Sequence, residues 1–201
     1  MSTDIESNNH QIPDSVPKWA SAILDCWFFQ LKPTDWYVDN ETIDKQITDR
    51  FHLLLDAISE RTPGRATRDP MIALATIICL DQFPRRIFKK DARAFEYDGQ
   101  AYYIARNAVI MGMDRKLPAM MRRFVYFPFM HAEDATVQKD SLELFKRLGS
   151  EEEVMMASIR LDLINKFSRF PQRNRLLNRK STAEEIDYLS GENMRDLGVQ
   201  L

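Results

Sequence analysis

Glycine is scarce in this chain, which has 6 glycines in 201 residues, whereas average usage near 7% would give roughly 14. Glycine supplies the positive φ angles of tight turns and the free space of phosphate-binding loops. Its scarcity therefore disfavours turn-rich all-β folds and glycine-rich nucleotide cradles. The patterns GxGxxG, GxxxxGKS/T and GxSxG are absent, so we expect neither the common nucleotide-binding loops nor a nucleophile elbow.

Cysteine is scarce as well. The two cysteines, Cys26 and Cys79, lie in apolar helical patterns without CxxC spacing, so we expect small buried core residues rather than a disulfide, metal or redox pair. His131, Glu133 and Asp134 are close in sequence, but positions i, i+2 and i+3 do not share one helical face. The sequence therefore predicts no metal site and no cofactor.

Long hydrophobic runs are missing too. The longest, residues 71–80, is about half of what spans a bilayer. Residues 1–14 include Asp4, Glu6 and Asp14 and contain no apolar stretch, so they lack the basic start and apolar core of a secretory signal. We expect a cytoplasmic protein with no membrane partner, in which residues 1–14 form a flexible tail.

Apolar residues at helical spacing run through the rest of the chain, and no strand-like alternation interrupts them. The pattern predicts an all-α domain over residues 15–201. Local signals set the expected boundaries. Asp39 or Asn40 should cap one helix, Pro70 should lie in the first turn of another, and Asp91 should cap a helix that runs to about Gly112.

Further helix boundaries are predicted in the C-terminal half. A helix opened by Pro118 should end or kink before Pro128, and the next should run over residues 131–148 to Gly149. Capping-box patterns at Ser150 with Glu153, and at Ser181 with Glu184, predict two more helices. The last should end near Gly191.

The dipeptide Phe-Pro occurs three times, with its prolines at 84, 128 and 171. Intervals of about 44 residues fit pairs of packed helices, so we expect stacked antiparallel helix pairs, in preference to an irregular bundle. Proline lacks a backbone donor and clashes with the preceding turn, so each segment should leave a helix broken or bent.

Charged and polar residues surround each Phe-Pro, and three interpretations of them remain open. They could form a buried hydrogen-bond network, converge on one ligand pocket, or face a partner protein. In the pocket interpretation, His131 and Glu133 are candidate catalytic acid–base groups. The candidate ligand-binding residues are the neighbouring polar side chains, namely Asp81, Gln82, Arg85, Asp134, Arg169, Arg173 and Asn174.

Residues 160–180 are strongly basic, with seven Lys or Arg against Asp162 alone. The whole chain has 28 basic and 30 acidic residues, so the rest of it is acidic. The favoured explanation is that these basic residues pair with acidic helices of the same chain. Recognition of an anionic ligand is the second, and nucleic-acid binding is the least favoured because Phe167 and Phe170 resemble core residues.

The same segments resemble a bacterial protein family known as domain of unknown function 924. The matching residues run in order along most of the chain: Trp27-Phe28, Trp36-Tyr37, Asp44, Phe51, residues 80–85, Phe127-Pro128, His131, Glu133-Asp134, Gln138, Phe167, residues 169–171, Arg173-Asn174, Leu177, Arg179, Ser181-Thr182 and Glu184-Glu185. The resemblance implies a tetratricopeptide-like helical fold. It implies no mechanism, because fold does not determine function.

The chain departs from the family pattern near its C-terminus. Ser168 and Gln172 replace the glycine and histidine of the usual Phe-Gly-Arg-Phe-Pro-His-Arg-Asn motif. Arg160 stands at the place of a common histidine, and Asn178 at that of a later glycine. Fewer histidines make a metal site less favoured, and the added arginine suits an anionic ligand.

The sequence thus predicts a protein that binds, and could turn over, a small anionic metabolite in a polar pocket made by the three Phe-Pro segments. Arg85, Arg169 and Arg173 would clamp the anion. The alternative is a non-enzymatic module that binds a protein or peptide in a helical groove.

Overall fold

The structure, a computed structural model, describes residues 12–190. Its α-helices are α1 (Lys18–Asp25), α2 (Glu41–Glu60), α3 (Pro70–Ile77), α4 (Phe83–Ile87), α5 (Asp98–Ile110), α6 (Ala119–His131), α7 (Ala135–Leu148), α8 (Glu151–Phe167) and α9 (Ala183–Ser190). No strand occurs between residues 12 and 190, which confirms the all-α prediction. The stacking of helix pairs and the tetratricopeptide-like detail stay predictions.

Several helix starts follow from local chemistry, as the sequence predicts. Asn40 accepts hydrogen bonds from the backbone N–H groups of Thr42 and Ile43 and so caps α2. Asp69 does the same for α3, whose first residue is Pro70. At the end of α7, Gly149 adopts the left-handed conformation with φ 83°, which glycine adopts without steric cost.

Aromatic side chains hold the N-terminal half of the core together. Trp27 is fully buried and contacts the rings of Trp36, Phe83 and Phe124. The indole N–H of Trp36 donates to the backbone carbonyl of Trp27 at 2.8 Å. This cluster fixes the segment before α2 against α4 and α6, beside the site described below. Cys26 and Cys79 are also buried, and both are free thiols.

Two prolines do not break their helices, so the predicted break, as distinct from a bend, does not occur at them. Pro84 lies inside α4, which continues from α3 through a π-helical turn, Ile78–Gln82. The wider turn accommodates the proline ring. Pro128 lies inside α6. Residues 124–130 are all buried, so their packing outweighs the one backbone hydrogen bond that proline cannot make. Only Pro171 follows a helix end, since α8 stops at Phe167.

The helix predicted over residues 131–148 ends before Gly149 as predicted but begins later, at Ala135. His131 ends α6, and α7 begins after Asp134, whose carboxylate accepts from the N–H groups of Thr136 and Val137. Gln138 then donates through Nε2 to the carbonyls of Met130 and Ala132 at 2.8 and 2.7 Å. The end of α6 is therefore satisfied by side-chain donors, and the chain can turn there.

One other boundary and one cap also differ from the prediction. Asp91 caps a short 3₁₀ turn, Ala92–Phe95, and α5 begins only at Asp98. Ser150 makes no side-chain cap. Its predicted partner, Glu153, lies 3.1 Å from Arg123 instead.

The capping box before α9 is shifted by one residue from the predicted pair. Thr182 and Glu185 exchange the two side-chain-to-backbone hydrogen bonds. The predicted helix end near Gly191 lies outside the described residues, as does most of the predicted tail over residues 1–14. In the part of the chain that is described, no helix has both the length and the apolar character needed to cross a membrane.

Candidate functional site

The three Phe-Pro segments meet at one place in the fold. Asp81 lies in the π-helical turn before α4, and its Oδ1 is 2.7 Å from Nδ1 of His131, the last residue of α6. Glu133, just beyond α6, accepts the backbone N–H of Phe170 at 2.7 Å. Residues that are 50 and 37 positions apart in sequence are thus in direct contact.

Asp81 is fully buried and remains ionised. Burial alone would raise the pKa of its carboxyl, but His131 and Arg85 and the hydrogen bonds from His131 and Gln82 outweigh burial and lower that pKa. Gln82 donates through Nε2 to Oδ2. The Nη1 of Arg85 lies 3.5 Å from Oδ1 and donates to the Asp81 carbonyl at 2.6 Å. Both carboxylate oxygens therefore have donors.

His131 is held in its neutral form. Burial and then the nearby positive charge of Arg85 lower its pKa from 6.5 to about 4, although Asp81 opposes them. A neutral imidazole has one N–H, and the hydrogen bond to the Asp81 carboxylate places that proton on Nδ1. The Nε2 atom is then an acceptor. The ring stacks against Phe127 with centroids 6.1 Å apart.

Asp98, in the first turn of α5, lies between two arginines. Arg85 approaches it with Nη1 at 2.8 Å from Oδ1 and Nη2 at 3.0 Å from Oδ2. Arg173 donates to Oδ2 at 3.2 Å. The guanidinium of Arg173 also packs on the rings of Phe95 and Phe170, and burial lowers its pKa to about 10 despite Asp98.

Arg160 on α8 differs from these arginines because it has no carboxylate partner within residues 12–190. It is 4% exposed, its Nε is buried without a hydrogen-bond partner, and no carboxylate oxygen between residues 12 and 190 lies within 4 Å of its guanidinium. Its side chain packs over the Phe170 ring at 5.3 Å. Burial and the charges of Arg173 and Arg85 lower its pKa to about 9, so it stays charged at neutral pH.

Arg160 lines a cavity of about 90 Å³, which we call the Arg160 cavity. Its other walls are Trp36, Tyr37, Asp39, Asp44, Gln82, Arg85, Arg86, Lys89, Phe127, Met130, His131 and Met156. A second cavity of about 360 Å³, the Asp98 cavity, is lined by Asp98, Arg173 and Glu133 among others. His131 lines both cavities.

The remaining basic side chains of the Arg160 cavity are already engaged. Arg86 lies 2.9 Å from Oδ1 of Asp44 and donates to the carbonyls of Asp35 and Trp36. Lys89 lies 2.9 Å from the other Asp44 oxygen and also contacts a second carboxylate. These contacts hold the segment that carries Trp36 and leave Arg160 as the cation without a partner among the cavity walls.

Four of the predicted site residues make contacts that tie helix ends together. Glu133 forms a two-pronged ion pair with Arg179 at 2.6 and 2.9 Å. Arg169 pairs with Glu185 at 2.6 and 2.7 Å, and Asn174 donates to the same Glu185. Asp134 caps α7. Arg169 and Arg179 of the basic segment are thus paired with carboxylates of the same chain, as the prediction of internal pairing expects.

The structure places three predicted residues, Gln82, Arg85 and His131, on the walls of the Arg160 cavity. Asp81 is hydrogen-bonded to His131, and Arg173 lines the Asp98 cavity. Sequence reasoning did not include Arg160 or Asp98 in the site. Arg160 carries a detectable signal, because it falls on the apolar face of α8 with Ala157 and Ile164, where an arginine is out of place. Nothing in the sequence around Asp98 distinguishes it from an ordinary first-turn acidic residue.

The site offers little for metal or thiol chemistry. Among residues 12–190, no group of three His, Cys, Asp or Glu side chains is placed to hold a metal ion. Burial raises the pKa of the Cys79 thiol far above its ordinary value, so it is neutral and a poor nucleophile. What the arrangement provides is an unpaired guanidinium, a neutral histidine and a carboxylate that fixes that histidine.

The comparisons with known proteins agree with this fold. A family model described as a bacterial protein of unknown function (DUF924) matches residues 23–193. The chain is also similar to a solved structure of a protein of unknown function from Agrobacterium tumefaciens. The two share 32% identity with a TM-score of 0.81, over 85% of this chain and 96% of the other. The search of curated proteins gives no match. The chain belongs to the DUF924 family.

Proposed function

We propose that this protein binds a small anion, the phosphate or carboxylate group of a metabolite, in the Arg160 cavity. The single observation that carries the proposal is Arg160 itself. A buried guanidinium without a carboxylate is costly, since buried charges in proteins are normally paired. Such a group is therefore expected where a charged ligand completes the site.

The charge balance of the cluster supports the same conclusion. Three guanidiniums, those of Arg85, Arg160 and Arg173, lie near the carboxylates of Asp81 and Asp98. Glu133 also acts on Arg173, but it is already paired with Arg179. The cluster therefore has an excess of one positive charge. One bound anion would neutralise it and would supply acceptors to guanidinium N–H groups, which bind carboxylate and phosphate oxygens strongly.

The cavity also fits the size of such a ligand. A volume of about 90 Å³ accommodates a few non-hydrogen atoms, and Phe127, Met130 and Met156 supply apolar walls beside the charged groups. The Asp81–His131 pair places a proton acceptor beside the anion. A histidine oriented by a carboxylate is a common general base, so the same arrangement could support turnover of a ligand that presents a proton.

A thermal-shift measurement with defined anions tests the proposal. At an anion concentration near 100 times Kd, binding adds about 2.7 kcal/mol, which for a chain of this size raises Tm by roughly 5–10 °C. We expect inorganic phosphate or a short carboxylate such as glycolate to give this shift, and Arg160→Met to abolish it.

Arg147→Met is the matched control. It removes the same charge from an exposed position on α7 that does not line the cavity, so its shift should equal that of the natural protein. If neither phosphate nor any short carboxylate raises Tm, or if both variants lose the shift equally, the proposal is wrong.

A further inference from the structure

We propose that the anion bound in the Arg160 cavity carries a hydroxyl group next to its charged oxygen, as hydrogen phosphate and 2-hydroxy carboxylates do. This hydroxyl group donates a hydrogen bond to Nε2 of His131. This inference rests on the proposed function and specifies the ligand of that same site. It follows from the direction of one hydrogen bond.

The proton between His131 and Asp81 belongs to the histidine. Oδ1 of Asp81 is 2.7 Å from Nδ1, and Oδ2 accepts from the Gln82 amide. A carboxylate that receives an amide N–H on one oxygen and faces a guanidinium with the other has no proton to give. Nδ1 is therefore the donor, and the lone pair of the neutral ring is on Nε2.

That acceptor has no hydrogen-bond partner in the described part of the chain. No side-chain or backbone donor of residues 12–190 is hydrogen-bonded to Nε2, and the only hydrogen bond of the ring is the one to Asp81. The side chain is 11% exposed and lines the Arg160 cavity together with Arg160 and Arg85. A ligand in this cavity thus meets N–H donors from Arg160 and one acceptor from the histidine.

An anion without a proton cannot satisfy both kinds of group. Its lone pairs would face the lone pair of Nε2 unless the ring first took up a second proton. Arg85 on α4 and Arg160 on α8 oppose that uptake, whereas Asp81 favours it. The other charged groups around the ring, Arg173, Asp98 and Glu133, line the Asp98 cavity that His131 borders. Burial also opposes the uptake. An anion with its own O–H group avoids this cost.

Titration calorimetry on the full chain at about pH 8 distinguishes the two cases. The probes form two matched pairs: hydrogen phosphate against sulfate, and glycolate against acetate. Each pair shares charge or size and differs in the O–H group. We expect the hydroxylated member of at least one pair to bind at least about tenfold more tightly, because a site built for a hydroxyl discriminates against the analogue that lacks it. The pair that shows binding identifies phosphate or carboxylate as the anionic group.

The proton count is the second measurement. Repeating each titration in two buffers of different ionisation enthalpy reports the protons taken up on binding. Sulfate or acetate should take up close to one proton, and the hydroxylated probes should take up none. His131→Phe keeps a ring against Phe127 but lacks the acceptor, so it should bring the two members of a pair within about twofold.

The outcomes separate the two proposals. Sulfate or acetate binding as tightly as its hydroxylated partner, with no proton uptake, would overturn this inference and leave anion binding intact. Absence of heat with all four probes would overturn the proposed function as well. The proton count uses the natural sequence, so the test stands even if His131→Phe does not fold.

Discussion

Arg160 should destabilise the protein in the absence of ligand, and replacing it with methionine should therefore increase the free energy of unfolding. The pKa of Arg160 falls from 12.5 to about 9 in the folded chain, which corresponds to about 5 kcal/mol of unfavourable charge burial. The penalty is fully present below pH 9, where the guanidinium is charged in both states. It fades only as pH rises towards 12.5.

Methionine does not recover all of that free energy. The guanidinium packs over the Phe170 ring at 5.3 Å, a contact worth about 1 kcal/mol or somewhat more, and the relaxed protein softens the penalty further. We expect Arg160→Met to raise the free energy of unfolding by about 2–4 kcal/mol and Tm by roughly 5–10 °C. Urea denaturation at neutral pH, with no added phosphate or carboxylate, measures the difference.

Arg86→Met is the matched control, because Arg86 is also buried but is paired with Asp44 and bonded to backbone carbonyls. Removing it leaves the buried Asp44 carboxylate without its arginine partner and should lower the free energy of unfolding by about 3–5 kcal/mol. The reasoning fails if Arg160→Met destabilises the protein as Arg86→Met does. That result would mean that Arg160 is compensated within the fold and does not await a ligand.

Three further predictions concern stability. Acidification from pH 6.5 to 4 should remove about 3 kcal/mol of unfolding free energy, because the unfolded chain binds a proton that folded His131, with a pKa of about 4, rejects. Urea melts across this range should show the loss in the natural protein and in His52→Asn, and should show it greatly reduced in His131→Asn. Asp98→Asn should lower the free energy of unfolding by about 3–5 kcal/mol, because it leaves Arg85 and Arg173 without their shared carboxylate. The control Asp140→Asn, at an exposed position, should change it by less than about 0.5 kcal/mol. Equal effects of the two variants in urea denaturation would contradict the pairing. Ser168→Gly should raise the free energy of unfolding by about 0.5–1 kcal/mol, because Ser168 has a φ of 59° and glycine adopts the left-handed region without the steric cost of a Cβ. A lower free energy of unfolding in the same assay would contradict this prediction.

Local chemistry made much of the fold predictable. The caps at Asn40 and Gly149 and the first-turn Pro70 act on backbone groups within a few residues, so the sequence shows them directly. The helix through Pro128 could not be predicted, because burial of residues 124–130 against other helices outweighs a local rule. The split after His131 likewise depends on Gln138 reaching back to the carbonyls of the preceding helix.

The site was predictable only in part, for the same reason. Asp81, Arg85 and His131 stand out as polar residues in otherwise apolar helices, and a pattern can detect them. Asp98 matters only because Arg85 and Arg173, which are 13 and 75 positions away, both reach it. Arg160 stands out in the sequence as an arginine on an apolar helix face, but its lack of a carboxylate partner among residues 12–190 is a property of the folded chain.

The most direct test of the central claim is a crystal structure after soaking in sodium arsenate, with data collected at the arsenic absorption edge. Hydrogen arsenate has the shape, charge and hydroxyl group of hydrogen phosphate, and arsenic marks its position without ambiguity. We predict an anomalous peak in the Arg160 cavity, within hydrogen-bond reach of the Arg160 guanidinium and of Nε2 of His131. Arsenic found only at exposed lysines and arginines, with the cavity empty or filled by water, would contradict the claim that Arg160 is kept unpaired to bind an anion.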